Sequence, residues 1–229
     1  TAGQGRIGQF SFLVLMFILM IIGIIYVEQG QRRIPIQFAK RVRGRKVMGG
    51  QSTYIPLKVN SAGVIPVIFA TSVLFFPALI ATSLPQDNSI TAGIRNWIDV
   101  NLANSQGTSW FYIFFLGMLI IFFTYFYTTI QFDPVRQSDM IRRQGGFVPG
   151  VRPGISTTNY LSHIVSRITL PGSVFLASVA VLPSIASAIW DIPLGFGGIS
   201  ILITVGVALE TMKQIESQLS MRNYEGFID

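Results

Sequence analysis

The sequence has no cysteine, a single histidine (His163) and only 10 acidic residues against 17 Lys and Arg in 229. Without cysteine, disulfides, thiolate nucleophiles and cysteine-based metal sites are excluded. His163 has no paired carboxylates near it in sequence, which fits a solvated or interfacial residue better than a base or a ligand. No glycine-rich phosphate loop with its lysine occurs, since Gly145-Gly146 and Gly197-Gly198 lack the flanking pattern. The residues offer no constellation for chemistry on a substrate, so neither an enzyme nor a cofactor is expected. Charge itself is scarce: 12% of residues are charged and 50% are hydrophobic, outside the usual range for a water-soluble domain of this length.

Five apolar stretches take the place of a polar surface, at residues 10–27, 62–84, 110–130, 168–189 and 196–212. A hydrocarbon core of roughly 30 Å needs about 20 apolar residues at helical rise, and the first four approach or meet that length while the fifth is marginal. The expected fold is therefore an all-α integral membrane protein, a single membrane domain over residues 1–229. Residues 1–8 lack a basic n-region and a small-residue cleavage site, so the first stretch reads as a span and not as a signal peptide. With no initiator Met, the chain reads as part of something longer.

Orientation follows from the basic residues. Segment 28–61 carries Arg32, Arg33, Lys40, Arg41, Arg43, Arg45, Lys46 and Lys58, and segment 131–167 carries Arg136, Arg142, Arg143, Arg152 and Arg167. Both are expected in the cytoplasm. The alternate segments hold Arg95 in one case and no Lys or Arg between Ile189 and Phe196 in the other, and the amino-terminal stub has only Arg6. The tail, residues 213–229, then lies inside. The net charge of +7 thus marks one face, which could meet anionic lipid, ribosomal RNA or an acidic protein surface.

The first basic segment shows strand-like alternation. Ile34, Ile36 and Phe38 alternate with Pro35, Gln37 and Ala39, the Arg43-Gly44-Arg45-Lys46 run punctuates, and residues 51–57 return. This predicts a β-hairpin-like finger with a basic tip, where the plainer reading is a solvated topogenic loop. In the second, Gly145, Gly146, Pro149, Gly150, Pro153 and Gly154 fix sharp turns and hold Arg152 on a constrained tip. Beyond it Tyr160, Leu161, Ile164, Val165 and Ile168 recur at helical spacing, predicting a short amphipathic surface helix, capped by Ser156 or Thr157, that leads into the fourth span.

The second span carries Gly63, Pro66 and Pro77 as interruptions, with Thr71 and Ser72 midway. Freed carbonyls in such a helix need neighbouring partners, so it is expected to pack in protein or to line a cavity. Glu210 lies close to the inner interface, where a snorkelling side chain is the simpler reading than a proton relay. The scarcity of charge within the spans weakens the reading as half of a multi-span secondary transporter for a small solute, which stands as the alternative.

Four motifs carry a specific likeness: Glu28-Gln29-Gly30-Gln31-Arg32-Arg33-Ile34-Pro35, Gln51-Ser52-Thr53-Tyr54-Ile55-Pro56-Leu57-Lys58-Val59-Asn60, Ala62-Gly63-Val64-Ile65-Pro66, and Phe147-Val148-Pro149-Gly150-Val151-Arg152-Pro153-Gly154. With Gly197-Gly198-Ile199-Ser200-Ile201-Leu202-Ile203 and Tyr224-Glu225 they closely resemble the SecY family, the central subunit of the bacterial protein-conducting channel. The resemblance covers essentially the whole chain. It implies that the five spans match the sixth through tenth helices of that family, one half of an inverted-repeat channel in the plasma membrane. It further implies that Ile68 and Ile203 contribute to a hydrophobic pore ring, and that Thr71, Ser72 and Phe76 lie on one side of a lateral gate for signal sequences and membrane segments. Arg43, Arg45, Lys46, Arg142, Arg143 and Arg152 match cytoplasmic docking loops for the ribosome and the SecA motor ATPase. The small subunits SecE and SecG, nascent polypeptides and membrane lipid are the other implied partners. The family's first five helices, with the plug and the opposite side of the gate, are not in this chain, and that amino-terminal half is itself an implied partner.

Overall fold

The computed structural model describes residues 2–38, 41–43, 46–48, 52–83, 89–102, 109–190 and 197–225. In chain order the elements are α1 (Ala2–Gln29), β1 (Gln31–Phe38), β2 (Arg41–Arg43), β3 (Lys46–Met48), β4 (Ser52–Lys58), α2 (Ile65–Ser83), α3 (Ser89–Asn101), α4 (Trp110–Gln131), α5 (Pro134–Arg143), β5 (Gly146–Phe147), α6 (Ile155–Trp190) and α7 (Gly198–Glu225). Among them α1, α2, α4, α6 and α7 are long and apolar enough to cross a membrane. They make the chain a multi-pass membrane protein.

These helices are apolar on every side, yet each buries a stripe at helical spacing. On α1 it runs through Leu13, Met20 and Ile24, on α2 through Val67, Ala70, Leu74 and Ala81, and on α4 through Ile113, Leu116, Ile120, Thr124 and Thr128. The stripes meet Leu176, Ala177, Val179, Ala180 and Val181 of α6 and Leu202 of α7 in one core. α6 is the central element: its apolar window is 56% buried, at least twice the figure for any other span. Its small residues suit that position, because helices in lipid gain little from apolar transfer and associate through close packing. The buried hydroxyls on α4 turn back on their own helix, Thr124 donating to the Ile120 carbonyl and Thr128 to that of Thr124, both at 2.7 Å. Neither hydroxyl is thereby left without a partner.

Several expected boundaries shift. Gly63, at φ 65°, lies in the turn before α2, and Pro66 sits in its first turn, where a missing N–H costs no intrahelical bond. Only Pro77 falls within the helix. The predicted surface helix and the fourth span are one continuous 36-residue helix, α6, that accommodates Pro171 and Pro183. Hydroxyls on either side of Pro171 bond within the helix, Thr169 to the Val165 carbonyl and Ser173 to that of Leu170, each at 2.8 Å. The carbonyl that Pro183 leaves without its usual donor belongs to Val179, and Gly198 of α7 packs directly against it. The cap of α6 is Gly154, whose carbonyl accepts from the amides of Thr157 and Thr158, so Ser156 and Thr157 lie in the first turn. Residues 213–225 of the expected tail continue α7 as helix. The finer details at Leu84 and Phe196 fall outside the described residues.

At one end of the bundle a three-stranded antiparallel sheet, in the order β4-β1-β5, ties the two basic segments together. β1 pairs with β4 along its length, Ile34 opposite Ile55 and Ile36 opposite Thr53, while β5 reaches only Gln37 and Phe38. Pro35 lies beyond the reach of β5, on a stretch of β1 whose other edge is open, where a missing donor is tolerated.

Candidate functional site

Alternation along β1 turns Ile34 and Ile36 inward and Arg33, Pro35 and Gln37 outward. The inward side chains join Leu57, Ile141, Val148, Leu161 and Ile164 in a second apolar core separate from that of the spans. The two basic segments therefore form one folded platform, a more ordered object than a solvated loop. Gly146 is held where β1 and α5 converge, since a Cβ there would lie 3.0 Å from Ile36 Cγ2 and 3.3 Å from Ile141 Cγ2. On the outer face the Arg33 guanidinium lies 4.8 Å from the centre of the Tyr54 ring, a cation–π contact across the strands.

α5 was not anticipated, although its start carries a readable signature. Asp133 caps it, accepting from the amides of Val135 at 2.9 Å and Arg136 at 3.3 Å, and Pro134 occupies the first helical turn. Arg142 and Arg143 are exposed in its last turn, where positive charge complements the helix dipole. The buried Ser138 hydroxyl donates to the Gly154 carbonyl at 3.1 Å, and Thr157 donates to the carbonyl of Arg152 at 3.0 Å. With Gly150 at φ 82° and Gly154 at φ 111°, the backbone on both sides of Arg152 is constrained while its side chain is exposed. The expected fixed cation is thus present on the same platform as Arg142 and Arg143. Arg43 and Lys46 pair opposite each other in the two-stranded β2–β3 ribbon at the finger tip, and Arg45 lies outside the described residues.

The second candidate surface is on α2. Away from its buried stripe it presents Ile68, Val73 and Phe76, with Ile68 45% and Phe76 64% exposed while the adjacent Val67 is fully buried. Thr71 and Ser72 both donate to the Ile68 carbonyl, at 2.9 and 2.8 Å, so their polarity is spent within the helix. Such back-bonding slightly weakens a helix, and Pro77 falls further along the same one. Ile203 is half-buried on α7 beside the fully enclosed Leu202. Ile68 and Ile203 both stand outside the core that joins the spans, and α7 approaches the start of α2 where Gly206 faces Val64. His163 and Glu210 are exposed, and among the described residues no group of His, Asp and Glu gathers to hold a metal.

One contributor to the site escapes sequence reasoning. Asn60, in the turn before α2, donates from Nδ2 to Glu28 Oε2 at the end of α1 at 2.9 Å, joining residues 32 positions apart. Only the fold brings them together. On the far side of the bundle α3 is an amphipathic helix whose Arg95 pairs with Asp99 at 3.7 Å.

Comparison with known proteins agrees with this architecture. The chain is 50% identical over 226 residues to the protein translocase subunit SecY of Streptomyces scabiei, covering 96% of this chain and 49% of that protein. It is 49% identical over 227 residues to the same subunit of Mycobacterium tuberculosis, covering 96% and 51%. The chain thus spans about half the length of the curated relatives it matches. Among solved structures, a protein-conducting channel superposes with a TM-score of 0.58 at 18% identity, over 89% of this chain and 48% of that one. A SecY structure concerned with the plug domain and the closed state gives 0.53 at 16%, over 89% and 49%. These likenesses establish the fold, and the sequence relatives favour it over a solute-transporter half. Since the SecY family profile matches residues 2–212, the chain belongs to the SecY family.

Proposed function

We propose that this chain supplies the carboxyl-terminal half of a pore-forming subunit that passes unfolded secretory polypeptides across the plasma membrane and releases membrane segments laterally into lipid. The observation that carries the reading is the family match over residues 2–212. The apolar face that α2 turns away from its own bundle is consistent with it. Ile68 and Ile203 act as part of a pore ring, because aliphatic side chains exclude water when the channel is shut and form no strong bond that would trap a varied chain. Thr71, Ser72 and Phe76 form one side of the lateral gate, with the amino-terminal half of the channel opposite. The conduit is passive and does no chemistry on its cargo.

The platform faces the cytoplasm, as the positive-inside rule requires of its Lys and Arg. Arg43, Arg45, Lys46, Arg142, Arg143 and Arg152 dock the SecA motor ATPase and the ribosome, whose RNA offers complementary charge, and SecE and SecG brace the bundle. A platform with its own apolar core suits this role, because a rigid docking surface loses little entropy on binding. The test is export in cells depleted of their own channel and supplied with the full-length protein carrying this segment. Processing of secretory precursors restored by it, together with SecA recovered on the purified complex, is the expected result. Precursors that stay unprocessed while the protein accumulates in the membrane would overturn the reading.

A further inference from the structure

At the end of the bundle away from the platform, α3 follows α2 and precedes α4 in the chain and packs against both. Its sides differ in chemistry. The half-buried Thr91 and Ile98 turn toward the bundle, followed by Leu102, which packs on the core of the spans. On one flank Ile94, Trp97 and Val100 recur every third residue, within an arc of about 120° at helical geometry, and each is about half exposed. Asn101 falls within this flank, but its amide donates to the Trp97 carbonyl at 2.9 Å, so its polarity is spent on the helix. On the other flank stand Arg95, Asn96 and Asp99, the first and last joined as an ion pair. The apolar flank is continuous with the outside of α4. The Trp97 ring meets Phe111 edge to face at 5.6 Å between centres, Phe111 stacks with Phe115 at 6.1 Å, and Phe114 and Met118 carry the exposed apolar face onward. Trp97 and the exposed Trp110 therefore stand at the level where the apolar window of this span begins. Tryptophan is enriched at that depth, where the ring meets both hydrocarbon and headgroups.

We infer that α3 is an interfacial membrane anchor, its Ile94, Trp97 and Val100 flank inserted among the headgroups and first methylenes of the leaflet opposite the platform. The helix is too short to cross: 13 residues rise only about 20 Å against a hydrocarbon core of roughly 30 Å. Lying in the plane of the surface, it keeps Asn96 and Asp99 in water while its apolar flank meets lipid, the two-sided arrangement that such helices share. The lipid involved is set by charge. Arg95 and Asp99 are the only charged residues of α3 and they pair with each other, so the helix offers no net charge to an anionic headgroup. Insertion is by apolar partition alone and needs no anionic lipid. Because α3 packs on both α2 and α4, it fixes the depth of those two helix ends in the bilayer. The inference rests on the spans being membrane helices and not on the transport function proposed above.

Spin-label accessibility in the full-length protein, freed of any cysteine outside this segment and reconstituted in lipid nanodiscs, reads the two flanks directly. Labels are placed singly through Ile94→Cys, Trp97→Cys, Asn96→Cys and Asp99→Cys. Collisions with oxygen, which concentrates in lipid, should exceed those with a water-soluble nickel chelate severalfold at 94 and 97, with the order reversed at 96 and 99. Chelate contact dominating at all four positions would make α3 a solvated helix and overturn the anchor. Shielding of 94 and 97 from both reagents would show the flank covered by protein, another part of the channel or a second copy, and would overturn it equally. The native ring gives the same answer without a label. Fluorescence quenching by lipids brominated near the headgroup, taken as the difference between the parent protein and Trp97→Phe, should be present and should not change when anionic lipid is added to zwitterionic nanodiscs. No quenching of the Trp97 component, or quenching that appears only with anionic lipid, would refute insertion by apolar partition.

Discussion

The carbonyl of Val59, at the exit of the β4 strand, lies directly over Gly172, the residue after Pro171 of α6: a Cβ on Gly172 would sit 2.7 Å from that oxygen. Val59 is held there from its other side by its own amide, which donates to the Gly30 carbonyl at 3.0 Å. The strand exit is thus wedged between α1 and α6 immediately before α2 begins. Replacing Gly172 with Ala forces backbone against side chain, where no flexible atom can give. The expected cost is about 1–3 kcal/mol of stability, seen as a lower melting temperature of the detergent-solubilised full-length protein. Gly117→Ala, whose nearest neighbour would be a Val181 methyl at 3.9 Å, should be close to neutral. Equal losses from both would refute a specific wedge at Gly172.

Arg152 and Arg95 make a matched pair of charges with opposite expected importance. Arg152 is exposed on a backbone tied down by Thr157 and two positive-φ glycines, so a docked partner would meet it without ordering it first. Arg95 spends its charge on Asp99 within an exposed helix, an arrangement worth on the order of 0.5 kcal/mol. In the full-length protein, Arg152→Glu should slow export of a reporter at least tenfold, and Arg95→Glu should leave it within twofold. Comparable export defects from the two would remove the docking role of Arg152.

Much of the fold is legible in the residues because bilayer-length apolar composition needs no tertiary context. The ends of the helices are less so: α7 runs on to Glu225 through Lys213, Gln214, Glu216 and Leu219, good helix formers that lie beyond the apolar run. The hairpin is readable from the alternation of Ile34, Ile36 and Phe38, whereas the two-residue β5 is too short to carry a pattern. Pro66 looks like a break in a span because proline within a helix and proline in its first turn differ only in where the helix starts. The Glu28–Asn60 pair has no local signal at all, since it depends on how α1, the strand exit and α2 converge. Charge placement shows which residues belong to the platform, while the second apolar core that unites them emerges only from packing.

The orientation of the platform can be read chemically because the chain has no cysteine of its own. Single cysteines at Arg142 and Asp99 test opposite ends, the first on the last turn of α5 and the second exposed on α3. A membrane-impermeant thiol reagent applied to intact cells should label position 99 and spare position 142, with the pattern reversed in inverted vesicles. A cysteine at Lys46 should follow position 142. Labelling of 142 from outside intact cells would invert the topology and with it the docking proposal.

The last prediction separates a pore residue from a packing residue one position away. Val67 is fully buried in the core shared by the spans, and Ile68 is 45% exposed on the open face of α2. An Asn at 67 would bury an amide without partners and lose packing, at a cost on the order of 3 kcal/mol. The expected result is low abundance of the full-length protein and no gain of function. On the proposed pore ring, an Asn at 68 would face a constriction that aliphatic side chains otherwise keep dry. It should leave abundance near normal, raise ion leak, and permit export of precursors with weakened signal sequences. Ile203→Asn, at a half-buried position beside the enclosed Leu202, should show the same relaxed export with a modest loss of abundance. The two classes differ in sign, so planar-bilayer conductance and reporter export together decide between them. If Ile68→Asn behaves like Val67→Asn, with reduced protein and a tight membrane, Ile68 is a packing residue against the other half of the channel and the pore ring must be sought elsewhere.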